Sequence, residues 1–129
     1  MRDWIKSEHG QAIVEMAMVL PLIVLLLMGI VEFGRIGNAY LTVTNAARQG
    51  ARYGVVGNSN TEIMDKIKGA AIPLNPEDLV IIIDPEINRS TGDDISINVS
   101  YPVEIIAPVI GNIVGNPFIV SSNIIMRIE

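Results

Sequence analysis

From Met16 to Val31 no residue carries a charge, and the apolar character extends back through Ala12, Ile13 and Val14 to Gln11 and forward to Phe33. A bilayer core requires roughly 20 helical residues. The segment 11–33 is therefore long enough to cross one, on condition that Glu15 lies inside the membrane or at its edge. A charge near the bilayer centre costs on the order of 3 kcal/mol on insertion scales, and such groups usually have both a partner and a function. Glu15 is thus the residue in most need of explanation. Pro21 falls in mid-run, where loss of one backbone hydrogen bond predicts a kink, a feature membrane helices tolerate when neighbours satisfy the freed carbonyl. Glu32 and Arg35, three apart where the run ends, are expected to pair on one helix face and to mark the membrane boundary.

Beyond that boundary Phe33, Ile36, Tyr40, Val43, Ala47 and Ala51 recur at three and four, the spacing of an amphipathic helix. One helix is expected from Gln11 to about Tyr53, half in lipid and half supporting a domain. Its second half is rich in small residues, among them Gly34, Gly37, Ala46, Gly50 and Gly54. Small side chains let another backbone approach closely, here the face of a sheet. Arg48 and Arg52 are like charges four apart, unfavourable alone, which predicts acidic partners in the same domain or in a neighbouring subunit.

Gly57-Asn-Ser-Asn60 breaks the helix, and Ser59 followed by Glu62 fits a capping box for a short second helix that closes at Pro73. Leu74 to Asp78 reads as a loop. Leu79 to Asp84 (LVIIID) reads as a buried strand, and residues 85–94 as a hairpin connection. The next strand alternates strictly, with Ile95, Ile97, Val99, Tyr101, Val103 and Ile105 on one face, the pattern of a half-exposed antiparallel strand. Pro102 lacks an N–H and suggests an edge position or a bulge. Residues 107–117 are either a short helical turn or a loop lying on the membrane or on a neighbour. Phe118, Val120, Ile124, Met126 and Ile128 line one face of a final strand. The economical result is an α+β fold, a small three-stranded antiparallel sheet packed on the upper half of one long helix.

The formal net charge of −5 and a pI near 4.8 argue against nucleic-acid binding, which wants a basic face. There is no cysteine, and the only histidine is His9, so the commonest general base and the commonest metal ligands are scarce. Asp84, Asp93 and Asp94 match no calcium-loop spacing, and no nucleotide-binding or hydrolase motif occurs. No enzyme activity, cofactor or metal is expected.

Gly10 followed by a strongly apolar helix with Glu at its fifth position resembles the processing site of class III signal peptides in type IV pilins and pseudopilins. The wider stretches GQAIVEMAMVLPLIVLLLMGIVEFGR and NAARQGARYGVVG, with Asp94 to Val103 and Ile125 to Glu129, resemble the TadE-like family, minor pilins or pseudopilins of tight-adherence (Tad, Flp-type IVb) pilus systems. The resemblance implies a pilin-like architecture: a leader at 1–10, the transmembrane part of the helix at 11–33, and a pilin-like domain at 34–129. It also implies cleavage of the Gly10–Gln11 bond by a prepilin peptidase. The α-amino group so freed on Gln11, with an ordinary pKa of roughly 8, is suited to a salt bridge with Glu15 of a neighbouring, staggered helix. Implied partners are other pilins and minor pilins, the peptidase, the inner-membrane assembly platform and the lipid bilayer. The implied location is the cytoplasmic membrane, with the C-terminal domain outside the cytoplasm or carried into a pilus. The alternative is a bitopic membrane-anchored or secreted binding domain without such processing.

Overall fold

The computed structural model describes residues 8–129. Helix α1 (Glu8–Val55) is followed by α2 (Asn60–Ala70), β1 (Val80–Asp84), β2 (Asp94–Val103), α3 (Ile110–Val114) and β3 (Phe118–Arg127). At about 1.5 Å per residue, the 48 residues of α1 extend about 72 Å. The helix starts within the expected leader and runs unbroken through Pro21. Positions 1–7, including Trp4 and the rest of the expected leader before Glu8, lie outside the described residues.

The sheet has order β1-β2-β3 with both pairs antiparallel, and it packs on the C-terminal half of α1 as an α+β unit. Ile95, Ile97 and Val99 from β2, Val43, Ala46, Ala47 and Ala51 from α1, and Ile63 and Ile67 from α2 are fully buried together. Here α1 presents small residues because the partners come close. A Cβ on Gly50 would lie 2.5 Å from Ile67 Cγ1, and one on Gly54 would collide with Ile95 Cδ1. Gly34 and Gly37 have nothing within 4 Å of such a Cβ, so their small size serves no packing within the chain. Phe33 and Tyr40, expected on the core stripe, are exposed instead. The stripe that is buried runs through Ala39, Val43, Ala46, Gly50 and Gly54, because rings would hold the sheet away.

Ser59 caps α2 in a complete capping box: its hydroxyl accepts from the Glu62 N–H, and the Ser59 N–H donates to Glu62. Residues 74–78, expected as a loop, include a 3-10 turn, Pro76–Asp78. The continuous apolar run of β1 does not make it a buried strand. Val80 and Ile82 point outward and are exposed, and only Ile83 is buried, because β1 is an edge with one face on the core. Pro102 is not on an edge strand, since β2 is central. However, β1 stops opposite Ser100, so at Pro102 only β3 flanks the strand, and a residue without an N–H is tolerated beside that open side. Arg89 ties the β1–β2 connection down, donating to the carbonyls of Pro85 (2.9 Å) and Asn58 (3.3 Å).

Candidate functional site

None of the most apolar 18-residue window of α1 is buried within the chain. The side chains from Ile13 to Leu27 are all exposed, and an apolar stem of this length is stable only inside something else, a bilayer or a bundle of like helices. Near its start Gln11 and Glu15 are one turn apart on the same face, and Gln11 Nε2 donates to Glu15 Oε1 at 3.1 Å. This amide contact was not foreseen from the sequence, although the four-residue spacing allows it. The Gly10–Gln11 bond lies within the first turn of α1. Pro21 stands apart from the other named residues, in mid-stem, where it leaves the Ala17 carbonyl without its i+4 donor.

The stem ends at a collar. Glu32 is 3% exposed, and its Oε1 accepts from Arg35 Nη1 at 2.5 Å, the pairing expected from the spacing. The remainder was not legible. Glu32 Oε2 accepts from the backbone N–H groups of Ile106 (3.0 Å) and Ala107 (3.2 Å), and Arg35 also donates to the Glu104 carbonyl (3.2 Å). The pair therefore clamps the segment leaving β2 onto α1. Asn116 closes the same loop at its other end: its Oδ1 accepts from the Ile105 N–H (3.0 Å) and its Nδ2 donates to the Ile105 carbonyl (3.3 Å). The only sequence hint was a lone acid at the end of an apolar run, and a partner 74 residues away leaves no trace in local spacing. Between the clamps Val109 holds φ at +72°, rare for a β-branched residue.

Arg48 and Arg52 are exposed, and no salt bridge to either forms among the described residues, where the ion pairs are Glu32–Arg35 and Asp94–Arg127. No intrachain acidic partner exists for them there. Among the described residues no group of three or more His, Cys, Asp or Glu side chains gathers as a metal would require.

Residues 10–52 match the family model for TadE-like protein. Over that span the chain is similar to TadE-like proteins. The TadE-like segment takes in the stem, the collar pair and the small-residue stripe, and stops just short of the end of α1; α2 and the sheet lie outside it. It contains most of a helix long and apolar enough to cross a membrane. No curated protein and no solved structure matches the chain.

Proposed function

We propose that this chain is a minor pilin or pseudopilin that takes part in assembling a Tad (Flp, type IVb) pilus. The carrying observation is the bare stem: α1 continues well beyond the domain it supports as an apolar rod with no cover of its own. A rod of this kind can wait in the cytoplasmic membrane and pass into a bundle of similar helices without changing its surface, because lipid and pilin helices both present hydrocarbon. The domain lies outside the cytoplasm. A prepilin peptidase cuts between Gly10 and Gln11. That bond is helical here, and a peptidase needs it extended. The cut therefore requires the first turn to unwind, which Gly10 eases because glycine is among the weakest helix formers.

After the cut, Glu15 of one subunit meets the Gln11 amine of another, staggered along the filament. Gln11 Nε2, which holds Glu15 within the chain, keeps the carboxylate from standing unsatisfied until that partner arrives. The collar pair Glu32–Arg35 sets the depth at which the stem gives way to the domain. Glu15→Ala and Glu15→Gln test the assembly role in cells. Normal membrane levels of the variant with pili lost are expected from both, whereas normal piliation would remove Glu15 from the mechanism.

A further inference from the structure

We infer that the β2–β3 connection, Ile106 to Val114, is a second membrane-binding element that inserts its apolar side chains into the interfacial layer of the bilayer beside α1. This rests on the reading that the stem spans a membrane. The sequence left this segment open between lying on lipid and lying on a neighbour, and its position along α1 decides for lipid.

The segment is placed below the collar rather than above it. A Cβ on Gly29 would stand 3.3 Å from Ile110 Cδ1, and Gly29 is three residues inside the uncharged run that Glu32 ends. Ile106 and Ala107 share an open apolar groove of about 280 Å³ with Val24, Leu27 and Met28. Val24 is eight residues before Glu32, or about 12 Å lower at 1.5 Å per residue. If the stem is in hydrocarbon at Leu27, the loop alongside it is at the same depth or close to it.

The chemistry of the segment suits that depth. No residue from Ile105 to Met126 is charged. Ile113 is 76% and Ile106 68% exposed, with Val109 also exposed, and α3 buries none of its side chains. Several backbone donors are already satisfied, a requirement in lipid that does not hold in water: Ile105 by Asn116, Ile106 and Ala107 by Glu32, and Asn112 and Gly115 by the loop itself. The first turn of α3 has no side-chain cap, which fits the wet headgroup boundary rather than the bilayer centre. An apolar patch on the outer face of β1, Val80 and Ile82, offers a contrast, since it lies on the edge strand opposite Ser100 and Asn98, and Ile82 is thus six residues up β2 from Glu104 at the collar.

The test uses the full chain with Trp4, its only tryptophan, replaced by Phe, and a single new tryptophan as a depth probe. Ile113→Trp, Leu22→Trp and Ile82→Trp are each reconstituted into phosphatidylcholine vesicles brominated either high or deep in the acyl chains. The expected result is blue-shifted emission at Ile113→Trp that loses most of its intensity to shallow bromines. Leu22→Trp should lose most of its emission to deep bromines, and Ile82→Trp should lose none. Quenching at Leu22→Trp with Ile113→Trp as unquenched as Ile82→Trp would overturn the insertion while leaving the span intact. Blue-shifted but unquenched emission at Ile113→Trp would assign the patch to a second copy of the chain and overturn lipid as its partner. No quenching at either Leu22→Trp or Ile113→Trp would remove the span and the insertion together.

Discussion

The two halves of α1 are one continuous helix, yet opposite kinds of surface. From Ile13 to Leu27 it carries large aliphatic side chains and buries none of them. From Ala39 to Gly54 it carries Ala, Gly and one Val, Val43, at the positions that face the core, and buries them. The difference teaches that burial along this helix is set by how close the partner comes rather than by how apolar the residue is. Sheet and α2 come into direct contact with the upper half, so side chains no larger than Val43 fit on the buried stripe. The lower half meets hydrocarbon that adapts to any shape, so large side chains cost nothing there. Glu32 stands at the changeover, where one buried carboxylate holds both Arg35 and the returning loop.

Truncation in each half is the sharpest way to break that contrast. Ile67→Ala, in the core against Gly50, should lower the unfolding free energy of the domain by about 2–5 kcal/mol, whereas Leu22→Ala should leave it unchanged, both followed by denaturant titration in detergent. Equal losses would mean that the stem is packed against the domain after all. Glu32→Ala leaves the Ile106 and Ala107 amides without their acceptor and Arg35 with the Glu104 carbonyl alone, at about 1–3 kcal/mol for each buried group left unpaired. Hydrogen exchange should speed up at Ile106 and Ala107 before it does anywhere in β2. Gly50→Val forces Ile67 out of place and should cost about 1–3 kcal/mol; the same change at Gly37, where there is open space, should be close to neutral in the isolated chain.

Smaller effects sharpen the picture at the domain's far end. The Glu62 carboxyl is held below its ordinary value first by the Ser59 backbone N–H and then by the Ser59 hydroxyl. A lowered folded-state pKa means that its contribution is fully present above the ordinary carboxylate value and is lost as pH falls through the folded one. The Ser59 amide resonance should therefore move at a pH below that of an ordinary glutamate, and Glu62→Gln should abolish the shift. Least of all, Arg48→Glu with Arg52→Glu should change stability by no more than about 0.5 kcal/mol, since neither side chain has an acidic partner within the described chain.

The strongly periodic parts of this fold were open to reading from the residues. The alternation from Ile95 to Val103 gave the correct inward face of β2, and Ser59 with Glu62 located the start of α2. Errors arose where a local pattern has two physical causes. An apolar run such as Val80 to Ile83 looks the same in a central strand and in an edge strand with one bare face, and Pro102 reports an open side of a strand without saying why it is open. Phe33 and Tyr40 fit the helical period but are too large for a close interface, a constraint that depends on the distance to the sheet. Of the candidate site, the pairing of Glu32 with Arg35 followed from spacing, but its grip on Ile106 and Ala107 did not, because the chain returns to the collar only after two strands of intervening structure.

The N-terminal residue of the protein purified from its own cells bears most directly on the proposed role of the stem. Chains that begin at Gln11 are expected, with the amine freed for Glu15 of a neighbouring subunit. Chains that still begin at Met1 in assembled pili would contradict processing at Gly10 and leave Glu15 without the partner assigned to it.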